Sequence, residues 1–255
     1  MDPWRTAIVT SDATNIWVRG YEITSLMQRS SFTDAIFLLH RERLPTDGER
    51  RLLDAILIGV ADHGSGAPSC ATARLAASGN RQSLSAAIAA GILAIGDEHG
   101  GAGSSCMELI TAGVTASKRD GVSIEEAARR TVEEAVRTKT RLPGLGHRVH
   151  TTDPRTATLF NMADAEGLAS AGIAFMRALE VAARTRIKPL PLNIDGALAA
   201  VLHDMGFPPP FGTLVFIIGR VAGLTAEVAE EHLRERPMRI KIPVTYDGVA
   251  PRPID

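Results

Sequence analysis

Three histidines, His63, His99 and His147, lie in short glycine-rich segments of the sequence. The segments read ADHGSG at residues 61–66, GDEHGGAG at 96–103 and PGLGHR at 143–148. Glycine costs conformational entropy on folding, so three such clusters do not fit a purely packing role. Each cluster leaves the backbone free to approach a ligand, and imidazole is the side chain best suited to proton transfer near neutral pH. The pattern therefore indicates acid–base chemistry.

The sequence alone also allows these histidines a structural role or a role in metal binding. Each ring can cap a helix or pack, and histidines clustered with carboxylates can bind a metal ion. No His-x-x-x-His or Cys-x-x-Cys spacing occurs, so no metal site is predicted. His40, His203 and His232 lie in helical patterns without glycine neighbours, and we expect them to be structural or surface residues.

An acid in the segment KPLPLNIDG, residues 188–196, is a candidate base. Asp195 follows an apolar run fixed by prolines, which favours partial burial. Burial raises the pKa of a carboxyl group and makes it a better base. The sequence equally allows Asp195 to cap a helix that begins at Gly196.

Four arginines stand where an anion is expected. Arg148 and Arg155 flank the third histidine segment, Arg220 interrupts the apolar run FIIGRVA, and Arg236 precedes Pro237. A guanidinium within an apolar run is costly unless it is paired, so Arg220 needs a negative partner. That partner is either a carboxylate of the protein or a di- or tricarboxylate ligand bound by paired hydrogen bonds.

The composition favours a soluble protein with no general attraction to polyanions. The 255 residues are 45% apolar and 22% charged, with a formal net charge of −1. Neither nucleic acid nor a membrane is therefore an expected partner.

Two cysteines allow no disulfide framework, and a reduced, cytoplasmic setting is the simplest expectation. The N-terminus lacks a signal-peptide pattern, and the longest apolar stretch, 84–95, is too short to cross a bilayer.

The elements that must position these residues are mostly helical. Residues 6–10 and 15–19 are β-branched runs that predict a short N-terminal β-hairpin. Thr46 with Glu49 predicts a capping box at the start of a helix. Ser83 precedes the run 84–95, which is apolar nearly all round and therefore predicts a buried helix.

The second half of the chain carries further helix signals. Ser123 with Glu126 predicts a second capping box. Asp153 followed by Pro154 predicts another helix start. The remaining predictions are a buried helix at 214–221, an exposed charged helix at 225–234 and an extended tail at 240–255.

Taken in order along nearly the whole chain, these segments resemble the citrate synthase superfamily. Residues 18–23, 31–32 and 38–39 are similar to its opening segment, and 61–63, 99–102 and 143–148 to its three active-site histidine motifs. DPR at 153–155 carries the arginine that trails the third motif, and NID at 193–195 is similar to the catalytic aspartate motif. GR at 219–220 and RP at 236–237 match two carboxylate-binding arginines. The shared order is more specific than any single tetrapeptide.

The resemblance implies an all-α, citrate synthase-like fold with a large and a small helical domain, in addition to the short N-terminal β-hairpin. The large domain would comprise residues 1–101 and 206–255, and the small domain residues 102–205, with His99 at the hinge. It also implies a homodimer in which Arg236 crosses into the site of the partner subunit.

The resemblance further implies a role for each site residue. Asp195 would remove a proton from the methyl group of acetyl-CoA, His99 would stabilise the enolate, and His147 would protonate the carbonyl of oxaloacetate or donate a hydrogen bond to it. Substrate binding would involve His63, Arg148, Arg155, Arg220 and Arg236. Coenzyme A, as the acyl-CoA substrate, would contact Pro143, Gly144, Leu145, Gly146 and Lys188. No metal is implied.

Two departures from an ordinary citrate synthase favour carbon–carbon lyase chemistry. The chain is substantially shorter, and it reads NIDGALAA at 193–200 where typical synthases continue with an aromatic or histidine residue and then Ser-Gly. Both features resemble the citryl-CoA lyase module of ATP-citrate lyase, whereas His99 is a synthase feature. We expect reversible cleavage of citryl-CoA to acetyl-CoA and oxaloacetate. The alternatives are a citrate or 2-methylcitrate synthase and a non-catalytic CoA-binding relative.

Overall fold

A computed structural model describes residues 3–146 and 153–254 of the chain. Within these residues, three short strands precede eleven α-helices. The strands are β1 (Val9–Ser11), β2 (Ile16–Val18) and β3 (Tyr21–Glu22). The helices are α1 (Ile23–Arg29), α2 (Phe32–Arg41), α3 (Asp47–Ala61), α4 (Pro68–Gly79), α5 (Leu84–Leu93), α6 (Ala102–Asp120), α7 (Ile124–Thr138), α8 (Pro154–Ala165), α9 (Ala171–Arg186), α10 (Ile194–Asp204) and α11 (Phe211–Arg234).

The predicted N-terminal hairpin is confirmed, and it carries a third strand that the sequence pattern does not indicate. β1 pairs antiparallel with β2, and the Asp12 carboxylate closes the turn by accepting the N–H groups of Thr14 and Asn15. β3 follows β2 through Arg19 and Gly20, whose φ angles of 48° and 83° fit a two-residue hairpin turn. A strand of two residues is too short to show an alternating pattern.

The predicted helix starts at Thr46, Ser83 and Asp153 are confirmed. Thr46 and Glu49 form both hydrogen bonds of a capping box at the start of α3. Ser83 accepts a backbone N–H in the first turn of α5, and Asp153 does the same at α8. Each of these signals depends on neighbours within three residues, which is why the sequence alone indicates them.

Two helices differ from their predictions. At α7 only half of the capping box forms, because Ser123 accepts the N–H of Glu126 while the Glu126 carboxylate pairs with Arg129 and Arg130. The segments predicted as separate helices at 214–221 and 225–234 are one helix, α11. Gly223 lies between them because α11 passes against the Ala61 carbonyl, where a Cβ would lie 2.0 Å from the oxygen.

The main hydrophobic core surrounds α10. Residues 197–202 of this helix are all buried, and they pack among side chains of α2, α3, α6, α7, α8, α9 and α11. The bulkiest members of the core include Phe37, Phe175 and Phe216. Asp195 therefore lies in the first turn of the most deeply buried helix.

The prediction that the 84–95 run is a buried helix is wrong in its burial. The helix forms as α5, but in the part of the chain that the structure describes only its Ala87 and Gly91 are buried, whereas Leu84 is 47% and Leu93 84% exposed. Its inner face joins a second, smaller core with α4 and α11. An apolar sequence all round a helix indicates that every face can be buried. It does not show that residues of the same chain bury every face.

Helix α11 has the length and composition of a membrane span but packs inside the fold. Among the described residues it is the one helix that passes such a test, with a mean hydropathy of 1.5 over its most apolar window, 44% of which is buried. It contacts α3, α4, α5 and α6. It also carries the buried charged residues Arg220, Glu227 and Glu231. These contacts are those of a core helix.

Beyond α11 the chain has neither helix nor strand up to residue 254, as predicted for the tail. The predicted division into 1–101 with 206–255 and a small domain at 102–205 stays a prediction. The main core draws residues from both ranges, so its packing alone does not separate them.

Candidate active site

Four of the predicted site residues on different elements meet at one pocket of about 590 Å³. They are His63, His99, Arg155 and Asp195, and Gly146 of the predicted CoA loop also lines the pocket. His147 and Arg148 lie outside the described residues. The pocket therefore gathers two imidazoles, one guanidinium and the Asp195 carboxylate from positions that are far apart in the sequence, and Glu98, next to His99, adds a second carboxylate.

The structure excludes a helix cap as the role of Asp195. The cap of α10 is Asn193, whose side chain accepts the N–H of Gly196 at 3.1 Å, so a capping role for Asp195 is wrong. Asp195 is half-buried at the pocket. Its Oδ1 is shut off from solvent and has no hydrogen-bond partner among the described residues.

The surroundings of Asp195 make it a stronger base. Burial raises the pKa of its carboxyl group to about 6, although the charges of Arg155 and Arg220 act in the opposite direction. At neutral pH the carboxylate is ionised with little hydrogen bonding to stabilise it. Such a group takes up a proton readily.

The segment 143–146 is attached to the start of α10 through its own backbone carbonyls. The N–H of Asn193 donates to the Gly144 carbonyl at 3.0 Å, and the Asn193 side chain donates to the Gly146 carbonyl at 2.8 Å. A Cβ on Gly144 would lie 2.7 Å from the Cα of Gly196, so the close approach requires glycine. Of the other predicted CoA contacts, Lys188 is exposed and does not line the pocket.

His99 lies in a tight turn that joins α5 to α6. The N–H of His99 donates to the Gly96 carbonyl at 2.8 Å, and the N–H of Gly96 donates back to the His99 carbonyl at 3.0 Å. Gly100 has φ +76°, and a Cβ there would lie 2.2 Å from the Phe216 ring. The glycines therefore allow the turn to press against α11, so that the imidazole reaches the pocket.

Ser69, which the sequence does not single out, lies behind the pocket and contacts two of the predicted site residues. This fully buried serine lies in the first turn of α4. Its Oγ accepts a hydrogen bond from Nη1 of Arg220 at 2.9 Å and lies 2.9 Å from Nε2 of His99. Its backbone N–H points at the same Nε2 from 3.2 Å. No local motif distinguishes this serine, because its partners belong to α11 and to the turn before α6.

These contacts determine which nitrogen of His99 carries the proton. Arginine can only donate, so the Ser69 hydroxyl that accepts from Arg220 is free to donate to His99. Nε2 then faces two donors, the hydroxyl and the backbone N–H of Ser69, and must be the unprotonated nitrogen. The proton of a neutral His99 is thereby placed on Nδ1.

Arg220 is fully buried and forms no ion pair with a carboxylate of the described residues. Its Nε donates to the Val60 carbonyl at 2.9 Å, and its guanidinium lies over the Phe216 ring, 4.8 Å from the centroid. Burial lowers the pKa of Arg220. Of the two partners that the sequence allows, a carboxylate of the protein is absent from the described part of the chain.

His63 lies between two guanidinium groups. Nη2 of Arg220 is 2.9 Å from its Nδ1, and Nη1 of Arg155 contacts its Nε2. The ring keeps some access to solvent, but desolvation, followed by the charges of Arg220 and Arg155, lowers the pKa of His63 to about 4. A neutral imidazole accepts at one nitrogen only, so the cluster has more donors than acceptors. This imbalance suits a bound anion.

Arg155 differs from Arg220 because its charge is already paired. Its Nε and Nη2 donate to the two oxygens of the buried Asp153 carboxylate at 2.9 and 2.8 Å. Its Nη1 donates to the Gly59 carbonyl at 3.1 Å. Arg155 can therefore contact a ligand while held in a fixed orientation.

Arg236 does not reach the pocket of its own chain. It is exposed, directly after the end of α11, and the N–H of Met238 donates to the Ser78 carbonyl at 3.0 Å. Ser78 is nine residues along α4 from Ser69 of the pocket, a helical rise of roughly 14 Å. Arg236 thus has no part in the site as one chain builds it.

The described residues contain one group with possible metal ligands, formed by Asp62, Cys70 and Glu227. Glu227 is paired with Arg74, and Asp62 accepts the N–H of Gly64. A guanidinium bound to one of the carboxylates competes with a cation. The expectation that the protein uses no metal stays a prediction.

The comparison with known proteins identifies the class. The family described as "Citrate synthase, C-terminal domain" matches residues 45–241. The chain belongs to the citrate synthase family, and its all-α fold with a small N-terminal sheet is confirmed by solved members.

The particular relatives include synthases and a lyase. The chain is 30% identical to the 2-methylcitrate synthase of Shewanella oneidensis, over 86% of this chain and 56% of that protein. It is 32% identical to citrate synthase 1 of Mycobacterium tuberculosis, over 83% of this chain and 50% of that protein. The chain thus spans about half the length of the curated relatives that it matches.

Solved structures cover the chain more completely. The citryl-CoA lyase of Hydrogenobacter thermophilus is 38% identical, with a TM-score of 0.90 over 99% of this chain and 97% of that one. The ATP citrate lyase of Methanothrix soehngenii, solved with citrate and coenzyme A, is 19% identical, with a TM-score of 0.79 over 97% of this chain and 42% of that one. At this identity the second likeness concerns the fold alone.

Proposed function

We propose that this protein is a citryl-CoA lyase that cleaves citryl-CoA reversibly to acetyl-CoA and oxaloacetate. One observation carries the proposal: a desolvated carboxylate, Asp195, lines the same pocket as His63 and Arg155, and His63 contacts the buried guanidinium of Arg220, which has no carboxylate partner in the described part of the chain. A carboxylate substrate supplies the missing anion, and Asp195 handles the proton. The likeness to a citryl-CoA lyase over nearly the full length of both chains supports the direction of the reaction.

In the proposed cleavage, His147 accepts the proton of the tertiary hydroxyl of citryl-CoA, and the adjacent carbon–carbon bond breaks. The hydroxyl carbon becomes the carbonyl of oxaloacetate, and the bond's electron pair passes to the thioester fragment as an enolate. Asp195, as the carboxylic acid, protonates the enolate carbon to give acetyl-CoA. Its pKa of about 6 leaves enough of the acid form for this step near neutral pH. In reverse, the carboxylate removes the same proton.

His99 is proposed to stabilise the enolate oxygen. With Nε2 occupied by Ser69, the neutral ring presents its Nδ1–H as a hydrogen-bond donor. A donor fixed in advance toward developing negative charge lowers the barrier without reorganisation during the reaction. His147, outside the described residues, keeps its predicted role at the carbonyl of oxaloacetate, which in the cleavage direction makes it the acceptor of the hydroxyl proton.

The substrate's carboxylates are proposed to bind at the cluster around His63. Arg155, which lines the pocket, would contact one carboxylate, and Arg220, which lies behind His63, would contribute its charge, with Arg148 and the partner subunit's Arg236 completing the set. Coenzyme A would lie along 143–146, with Lys188 toward its phosphates. Closure of the predicted small domain, 102–205, over the pocket would exclude water.

The homodimer is part of the same proposal. The outer face of α5 is formed by exposed apolar and small residues, including Ala86, Ala89 and Leu93. Such a face allows two helices to approach closely when a second copy covers it with the same face. Arg236, roughly 14 Å along α4 from its own pocket, would then serve the other subunit. A cytoplasmic location, with small-molecule substrates and neither nucleic acid nor membrane as a partner, also remains proposed.

A citrate or 2-methylcitrate synthase is the second candidate, since curated relatives carry these names and His99 is held as a donor. The two candidates differ in whether the thioester of citryl-CoA is hydrolysed. Purified protein would be mixed with citryl-CoA, and separately with acetyl-CoA and oxaloacetate. A lyase forms oxaloacetate in the first mixture and releases no free thiol in the second. Free coenzyme A with citrate in the second mixture identifies a synthase, and no turnover in either mixture contradicts both.

A further inference from the structure

The chain on both sides of Arg236 is fixed to the body of the protein, although Arg236 itself is exposed. Before it, Nη1 of Arg81 donates to the carbonyls of Glu231 and His232, each at 2.9 Å, and Nη2 donates to the Glu235 carbonyl. One guanidinium thus satisfies carbonyls at the end of α11, where the helix dipole favours a cation. The direction in which the chain leaves α11 is thereby fixed.

After Arg236, the chain is held by Glu231. This carboxylate is fully buried and lies between two guanidinium groups, 3.1 Å from Nε of Arg239 and 3.2 Å from Nη2 of Arg74. Arg74 belongs to α4, so Glu231 connects the tail, α11 and α4. Buried ion pairs with several hydrogen bonds hold a defined geometry better than exposed pairs do.

The backbone between these anchors is strained. Met238 has φ +55°, a left-handed conformation that is unfavourable for a residue with a Cβ. It is held there by the hydrogen bond from its N–H to the Ser78 carbonyl at 3.0 Å and by the Arg239 anchor that follows. Strained residues that the surroundings hold in place are often found at functional positions.

Arg236 has no hydrogen bond or ion pair to any other residue that the structure describes, so the anchors on either side of it do not support a contact of Arg236 within its own chain. We propose that Arg81, Glu231 and the left-handed turn at Met238 are positioning elements that aim Arg236 at the substrate carboxylate bound in a second copy of the chain. The proposal rests on the proposed function, in which Arg236 acts in the partner subunit's site.

The first test compares two isosteric variants. Glu231→Gln removes the charge that holds Arg239 and Arg74, and the KM for citryl-CoA is expected to rise about tenfold with a smaller change in kcat, since misplacing a binding group by about 1 Å is enough to cause such a loss. Glu49→Gln is the matched control, because Glu49 is also buried and paired with an arginine, Arg43, but lies at α3. Glu49→Gln is expected to lower the melting temperature without raising KM. Equal KM values in Glu231→Gln and wild type would overturn the proposal.

The second test uses hybrid dimers isolated with two different tags. A hybrid of Glu231→Gln with Asp195→Asn has one intact base, in the Glu231→Gln subunit, and that site receives Arg236 from the well-anchored subunit. A wild-type KM is therefore expected in the hybrid. A KM that stays high would mean that Glu231→Gln impairs the active site of its own subunit, and the positioning role would be refuted.

A third hybrid separates this inference from the proposal on which it rests. Arg236→Ala combined with Asp195→Asn should also regain activity at one site if Arg236 acts between subunits. Failure of this hybrid refutes the role of Arg236 in the partner subunit, whereas its success together with failure of the Glu231→Gln hybrid refutes the positioning inference alone. If Glu231→Gln does not fold, Met238→Gly releases the strained turn and replaces it in both tests, with a smaller rise in KM expected.

Discussion

The start of α10 and the segment after α11 differ in how much of the proposed chemistry one chain supplies. Around the start of α10, which holds Asp195 in its first turn, hydrogen bonds within the chain orient His99, Ser69 and Arg220. After α11, every contact holds the backbone around Arg236, and the side chain reaches no described residue of its own chain. Substitutions in the first region should therefore lower the activity of the site in the same chain. Substitutions in the second region should lower the activity only of the site in a neighbouring subunit.

The largest expected effect is on catalysis by Asp195. Asp195→Asn removes the proton carrier, and kcat for citryl-CoA cleavage should fall about 1,000-fold, within the range of a positioned acid or base. Steady-state release of oxaloacetate measures this. Asp164→Asn makes the same change at an exposed carboxylate paired with Arg177, and it should leave kcat unchanged. An Asp195→Asn variant with wild-type turnover would contradict the role of the base.

The pH dependence of proton exchange by the wild type is a second test of Asp195 as the base. Exchange of the methyl protons of acetyl-CoA needs ionised Asp195, so its rate should fall as the pH drops below the pKa of about 6 and level off above it. His63, with a pKa of about 4, is neutral throughout this range and should add no second transition. A flat profile between pH 5 and pH 7 would exclude a carboxyl group with this raised pKa as the base.

The next effect is on stability and is independent of any assay of activity. The pKa of Asp195 is about 6 in the folded chain against an ordinary 3.8, so the folded protein binds this proton more tightly than the unfolded chain does. The free energy of unfolding of the wild type should therefore fall by on the order of 3 kcal/mol as the pH rises from about 4 to 6. Asp195→Asn should not show this fall. Urea unfolding at pH 4 and pH 7 checks this. If the free energies of unfolding of wild type and Asp195→Asn differ by the same amount at both pH values, the effect comes from packing and not from the charge of Asp195.

The second region predicts a loss that depends on assembly. Arg236→Ala should lower kcat/KM about 100-fold, because a charged hydrogen-bonding group is removed from the substrate carboxylate. Its melting temperature should stay near that of the wild type, since no described contact of the side chain is lost. Arg234→Ala, at the exposed end of α11, is the control. A large fall in melting temperature with unchanged kinetics would assign Arg236 to the fold of its own chain.

The smallest of these effects concerns the proton on His99. Ser69→Ala removes the hydroxyl between Arg220 and His99 but leaves the backbone N–H of residue 69, so kcat should fall only about tenfold. Ser65→Ala makes the same change at an exposed serine four residues before Ser69, and it should have no effect on kcat. If Ser69→Ala changes KM alone, Ser69 acts on Arg220 and substrate binding and not on the tautomer of His99.

The sequence alone predicts the features that depend on near neighbours. Thr46 with Glu49 and Asp153 with Pro154 mark helix starts through contacts within three residues. The exposed face of α5 was not predictable, since an apolar pattern does not say which chain covers it. Ser69 was missed for a similar reason, because it meets Arg220 only where α4 and α11 cross. That His63, His99 and Asp195 share a pocket was predictable only through the resemblance to a family, since each local motif also fits a structural role.

The most direct test of the whole account is a crystal structure of this protein with citrate and coenzyme A. We expect one carboxylate of citrate on Arg155 and next to the charge of Arg220, a second on Arg236 of the partner subunit, and Asp195 beside the carbon that exchanges its proton. Citrate bound away from Arg220, or a site in which Arg236 comes from the same chain as Asp195, would contradict it.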